Sequence, residues 1–265
     1  MVVFDFTGKN VLITGAGGGI GGGIAEVFAN AGAKVYVADW LEDMAKAEAE
    51  KINAAGGNAV AVQLDVRDSA AVAALIKRIV DEDGKIDNLV NCAGVMYNKP
   101  YTTSTEEEFR FTLDVNLIAV DVACREALKY MIPAKQGKIV NIESASSRLG
   151  NAICAHYAAS KFGVMGLTQS IALAVATQNI NVNGICPGLV NTALGEQQNS
   201  STVSLYMKAK NLSREEALAA LESLVPMGRF QTPEDMGNAV LFLCSEYAKN
   251  ITGQALNVCG GWRLN

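Results

Sequence analysis

A chain of 265 residues, half of them apolar, holds enough material for the core of one ordinary domain, so a single domain spanning 1–265 is expected. With 22 basic against 27 acidic residues the net charge is −5, and no run of Lys or Arg is long enough to track a phosphate backbone, which sets nucleic acid aside as a partner. Residues 1–6 carry no basic leader, no segment reads as apolar over the roughly 18 to 20 residues a membrane span requires, and six scattered cysteines with a single histidine offer no metal site; a cytoplasmic, membrane-free chain with reduced thiols is expected.

Short β-branched runs at 10–13, 34–38, 59–64, 86–90, 138–142, 180–185 and 255–258 alternate with longer segments of helical period. The runs are nearly continuous in apolar character instead of alternating. Both faces of the sheet should therefore be covered by helices, which predicts an α/β fold with a doubly wound, parallel Rossmann sheet of about seven strands.

After the first run comes Thr14-Gly15-Ala16-Gly17-Gly18-Gly19-Ile20-Gly21, which opens a helix. Glycines there let the backbone come close to a pyrophosphate, and the positive end of the helix attracts its charge, so Gly15, Gly17, Gly18, Gly19 and Ile20 are candidate dinucleotide contacts. Asp39 closes the second run, with Trp40 beside it. A carboxylate at that place accepts the ribose hydroxyls and repels a 2′-phosphate, and no Lys or Arg lies in the glycine turn or directly after Asp39; NAD is the expected cofactor.

Further along, Asn116 lies in Asp114-Val115-Asn116-Leu117, where its amide is expected to bridge Lys161 to water. Ser144 follows the fifth run at its carboxyl end, and Tyr157 and Lys161 stand four residues apart on one helix face. A free phenol titrates near ~10; a neighbouring ammonium and an oxidised nicotinamide ring both favour phenolate, so depression toward neutrality is expected. The stretch 192–228 is polar and rich in turns at its start. It then carries Ser213-Arg214-Glu215-Glu216, a capping-box spacing that should begin a short helix running to Leu224, and the whole insertion is expected to act as a substrate lid.

These pieces resemble the short-chain dehydrogenase/reductase family from end to end: Thr14-Gly15-x-x-x-Gly19-Ile20-Gly21, Asp65-Val66, Asn91-Cys92-Ala93-Gly94, Asn116, Ser144, Tyr157-x-x-x-Lys161 and Pro187-Gly188-x-Val190-x-Thr192. The resemblance implies a catalytic tetrad of Asn116, Ser144, Tyr157 and Lys161. It also implies that Asp65 and Val66 meet the adenine, that Asn91, Ala93 and Gly94 pack beside the adenosine, and that Pro187, Gly188, Val190 and Thr192 hold the nicotinamide end. Cys92 departs from the asparagine usual in that motif, and Glu143 is unusual beside the serine.

By the same resemblance the substrate is a secondary alcohol. Residues 137–141, 150–151, 182–188 and 260–261 look most like 2,3-butanediol/acetoin and polyol dehydrogenases. A pocket of Ser144, Ser146, Asn151, Tyr157 and Leu189, extended by Met96, Tyr97 and Arg148, suits a vicinal diol or polyol, with a hydroxysteroid or bile acid as the alternative substrate and a silent nucleotide-binding sensor or scaffold as the alternative of another class. The family habit implies a homotetramer through the helices after Asn116 and from Tyr157, although the apolar run 162–167 fits burial in the monomer equally well.

Overall fold

The computed structural model describes residues 4–190, 203, 207 and 210–264. Its strands are β1 (Asn10–Thr14), β2 (Lys34–Asp39), β3 (Asn58–Gln63), β4 (Asn88–Asn91), β5 (Gly137–Ile142), β6 (Ile180–Pro187) and β7 (Ala255–Val258). They form one seven-stranded sheet in the order β3-β2-β1-β4-β5-β6-β7, and every pairing is parallel. Each strand found by its apolar run is present.

The helices are α1 (Gly19–Asn30), α2 (Glu42–Ala54), α3 (Ser69–Asp83), α4 (Glu106–Leu113), α5 (Ala119–Ala134), α6 (Ala155–Val175), α7 (Arg214–Glu222) and α8 (Pro233–Cys244). They cover both faces, which is why the strands are apolar on both sides. Val11 and Ile13 of β1 pack with Ile24 and Phe28 of α1 and with Met236 and Val240 of α8, while Leu12 between them packs with Leu75, Ile76 and Ile79 of α3 and Val164 of α6. Local signals fix the helix starts: Asp68 accepts from the amides of Ala70 and Ala71, and capping boxes form at Thr105/Glu108, Ser213/Glu216 and Thr232/Asp235. The α7 helix begins at its predicted cap and ends two residues early, at Glu222, where Leu224 and Val225 close turns onto Leu221 and Glu222.

One expectation is corrected. The helical stretch Ala155–Gln178, 24 residues long, contains an 18-residue window with a mean hydropathy of 1.2 and so has the length and composition of a membrane span despite Lys161. Its apolar content has a local explanation, because Val164, Ala172 and Val175 are core residues against the sheet.

The chain leaves β1 for β2 and β3 and then returns to β4 on the other side of β1. That reversal opens a crevice at the carboxyl ends of β1 and β4, the place where open α/β sheets take their ligands. Thr14, Asp39, Asn91, Ile142 and Pro187 close their strands on this one edge.

Candidate active site

The turn from β1 into α1 is shaped for close approach of another backbone. Gly15 has φ +65°, and a Cβ on it would lie 2.7 Å from Ala93 Cα and 2.8 Å from Ala93 N. The hydroxyl of Thr14 accepts from the amides of Cys92 and Ala93 at 3.1 and 3.3 Å and so ties the two loops together. Gly15→Ala combines a left-handed backbone with a collision against main chain; it should cost about 2 kcal/mol or more, read in thermal unfolding as a Tm lowered by roughly 4–8 °C, whereas an unchanged Tm contradicts the packing.

Asp39 reaches across to this turn. Its Oδ2 accepts from Gly17 N at 3.0 Å and its Oδ1 from Leu41 N at 3.1 Å, so the carboxylate is fixed facing the glycines with lone pairs to spare. Trp40 is exposed, and among the described residues no cation pairs with Asp39. Arg67, the cation after β3, forms an ion pair with Asp65 through Nε and Nη2, and this pairing holds the Asp65 carboxyl below its ordinary value. Val66 lines a cleft with Thr14, Asn91, Ala93 and Val115.

At the end of β5, Ser144 begins a short 3-10 turn. Its Oγ accepts from Ser146 N at 3.0 Å and its own N–H donates to Ser147 Oγ at 3.0 Å, which fixes the Ser144 hydroxyl at the carboxyl end of β5. It hydrogen-bonds with the Tyr157 phenol. Burial pushes that phenol up to about 12, and the Ser144 hydrogen bond pulls the other way. Lys161 is buried, and its Nζ donates to the Ile142 carbonyl at 2.6 Å and lies 5.7 Å from the centre of the Tyr157 ring. Burial pushes the Lys161 amine down.

The phenol therefore moves opposite to the sequence expectation, for a physical reason. The ammonium sits over the ring face and bonds to a main-chain carbonyl, while burial of the hydroxyl penalises phenolate.

Asn116 is held by the loop after β4 and by α6. It lies in a π turn, Asp114–Ile118, between α4 and α5. Its Oδ1 accepts from Val95 N at 2.8 Å, and its Nδ2 donates to Val95 O at 2.9 Å and Ser160 Oγ at 3.0 Å. Both donor hydrogens are thus engaged, and the side chain pins the loop after β4 to α6; a Cβ on Gly94 would meet both Asn116 Oδ1, at 3.4 Å, and Lys161 Nζ, at 3.8 Å.

The matches with known proteins fit this geometry. A family model described as enoyl-(acyl carrier protein) reductase matches residues 15–263. The chain is 40% identical over 254 residues to galactitol 2-dehydrogenase of Agrobacterium fabrum, covering 96% of both. It is 36% identical over 263 residues to 3beta-hydroxysteroid dehydrogenase 1 of Eggerthella lenta, covering 98% of this chain and 95% of that protein. A solved chain provisionally assigned as an NAD(P) dependent gluconate 5-dehydrogenase from Beutenbergia cavernae, with NADP bound at low occupancy, matches with a TM-score of 0.87 at 36% identity over 98% of this chain and 99% of that one. The chain belongs to the short-chain dehydrogenase/reductase family. It is an oxidoreductase acting on CH–OH groups, on a nucleotide-binding fold of the NAD(P) type.

Within this dehydrogenase the remaining sequence candidates divide. Gly188, Leu189 and Val190 follow β6 at the crevice; Gly188 N donates to Val258 O, and Val190 bridges to Gln231. Leu189 packs on a small apolar cluster of Val203, Ala217 and Leu221, so α7 of the expected lid rests against it. Thr192 and most of 192–209 lie outside the described residues. Asn91 turns its amide inward, donating to Asn141 Oδ1 at 2.9 Å. Asn151 is exposed and accepts from Ile153 N. Arg148, expected at the pocket, instead reaches the β7 edge, where it donates to Ala255 O at 2.5 Å and Asn257 Oδ1 at 3.4 Å. His156 packs as a ring, stacked on Phe109 at 4.7 Å and edge-on to Tyr101 at 6.4 Å. Cys92 is a thiol that burial pushes up to about 12. Ser147, Ser160 and the Thr14 hydroxyl went unassigned in the sequence; Ser147 closes a capping box with Ser144 that only the structure shows.

Proposed function

We propose that this dehydrogenase interconverts a secondary alcohol and its ketone with NAD(H), Tyr157 serving as acid and base. The observation that carries the reading is the convergence of the Tyr157 phenol and the Ser144 hydroxyl at the crevice, with Lys161 buried behind the ring. The residues fit a dinucleotide: the Gly15 turn leaves no room for a Cβ, and Asp39 faces it with a fixed carboxylate. Gly15, Gly17, Gly18, Gly19 and Ile20 would hold the pyrophosphate, Asp39 the adenosine ribose, and Val66, Ala93 and Gly94 the adenosine. The chemistry supplied by the bound nicotinamide is acceptance or return of a hydride, with a positive ring charge in the oxidised form.

Ser144 donates its hydroxyl proton to the substrate oxygen and so fixes it beside Tyr157. In oxidation Tyr157 phenolate takes the alcohol proton; in reduction the phenol gives it back to the forming alkoxide. Lys161 holds a positive charge behind the ring, and Asn116 fixes the Val95 loop on which the site rests. Preference for NAD over NADP is supported by Asp39 and by the pairing of Arg67 with Asp65, which leaves neither side chain ready for a 2′-phosphate.

A vicinal diol or polyol is the proposed substrate class, supported by the galactitol and gluconate relatives; the hydroxysteroid relative favours the second reading. Formation of NADH across a panel of vicinal diols, sugar alcohols and 3-hydroxysteroids tests both. Turnover at least tenfold faster on the diols and sugar alcohols is expected, and activity confined to steroids overturns the choice. A homotetramer is proposed as well, because Ile118, Phe162 and Leu173 leave apolar surface exposed near α5 and on α6 while Val164 turns into the core. Light scattering should give four times the chain mass; a monomer at every concentration contradicts it.

A further inference from the structure

Beneath α6 the sheet carries a file of buried polar side chains that continues the active site inward. Asn91 donates to Asn141, Asn141 Nδ2 donates to Thr168 Oγ1 at 2.9 Å, and next along β5 comes Glu143, 1% exposed. Glu143 Oε2 accepts from the Cys186 thiol at 3.4 Å, while Oε1 has no hydrogen-bond partner among the described residues. The neighbouring strand makes room for it at Gly184, where a Cβ would collide with Oε1. A half-satisfied buried carboxyl is costly, and a glycine opposite it shows that the space is built for this side chain.

Glu143 also lies between the two residues that meet the reacting groups. The carbonyl of Ile142 before it accepts from Lys161, and Ser144 after it faces Tyr157. The polar and charged groups around it are Lys161 and Thr168 from α6, Cys186 from β6 and Arg148 from the loop after β5. Arg148 is tied to the β7 edge, and burial holds Cys186 as a thiol at about 12. Lys161, seven residues before Thr168 on α6 and so on the same face, brings its charge to this end of the buried file beside Glu143.

We propose that Glu143 is a positioning residue for Lys161, its carboxylate holding the lysine as an ammonium against the Ile142 carbonyl. This deepens the reading of Tyr157 and Lys161 given above and rests on it for its catalytic consequence. Burial pushes the Glu143 carboxyl up to about 7 and the Lys161 amine down, and each charge draws the other back toward its ionised form. As pH rises through neutrality Glu143 ionises, and its charge then favours the protonated form of Lys161; below neutrality Glu143 takes a proton and that support is withdrawn.

The test titrates the lysine directly, by NMR of the side-chain nitrogen in the cofactor-free protein, with Lys161 assigned by its loss in Lys161→Arg. Glu143→Gln, of the same shape but without charge, should lower the Lys161 titration midpoint by at least about one pH unit, a tenfold loss of proton affinity. In turnover, the wild-type kcat profile should carry an inflection near neutrality that Glu143→Gln lacks, with KM unchanged within about twofold. An unmoved Lys161 midpoint overturns the proposal. Should Glu143→Gln fail to fold, Glu143→Asp keeps the charge and must retain the inflection; its absence there also overturns the proposal. Because the nitrogen titration needs no substrate, a chain inactive on every alcohol would refute the proposed activity while the link between Glu143 and Lys161 is judged separately.

Discussion

Tyr157→Phe should leave dinucleotide binding within about twofold and lower kcat for alcohol oxidation by roughly a thousandfold, within the 10²–10⁴ range of general acid–base catalysis. The ring, its packing and the Lys161 contact survive the substitution; the hydroxyl is lost, with its exchangeable proton and its bond to Ser144. Direction of reaction adds a pH signature. Since burial raises the phenol to about 12, its protonated form dominates at neutral pH, ready to donate in ketone reduction. Oxidation needs the phenolate, whose fraction rises tenfold per pH unit below the midpoint, so oxidation should accelerate with alkalinity while reduction falls away as the phenol ionises. Retained turnover in Tyr157→Phe, or a pH slope of the opposite sign, contradicts the assignment.

Asp39→Ser paired with Leu41→Arg should shift the ratio of kcat/KM for NAD over NADP by about a hundredfold or more. Removing the carboxylate takes away charge-assisted hydrogen bonds to two ribose hydroxyls, each worth about 1.5–3 kcal/mol, and every 1.4 kcal/mol is a factor of ten. The arginine adds the cation that the site lacks, at an exposed position. Since Asp39 also holds Gly17 N, some loss of total affinity accompanies the shift. Steady-state kinetics with both cofactors reads it, and an unchanged ratio places the discrimination elsewhere than Asp39.

The sheet and its chemical edge were legible because a strand buried on both faces must be apolar throughout, and a glycine turn between strand and helix has few other uses. Ser213 was legible as a cap for the same local reason. Properties decided by distant packing were hidden. Nothing in Asp114-Val115-Asn116-Leu117 marks a π turn, and the bonds from Asn116 to Val95 and Ser160 depend on how α6 docks. Arg148 is long enough to point either way, and only the position of β7 decides. The rise in the Tyr157 phenol comes from burial by other elements, a term that a four-residue spacing does not contain. Glu143 looked odd beside Ser144, but its fit against Gly184 required strand pairing to see.

The most direct test follows the hydrogen itself. A vicinal diol carrying deuterium on its carbinol carbon is oxidised by the wild-type chain in ordinary water with NAD, and the nicotinamide product is examined by mass spectrometry. One deuterium should appear in NADH for each ketone formed, with Tyr157→Phe transferring almost none over the same time. Product hydrogen drawn from solvent, or equal transfer by the variant, would contradict hydride chemistry centred on Tyr157.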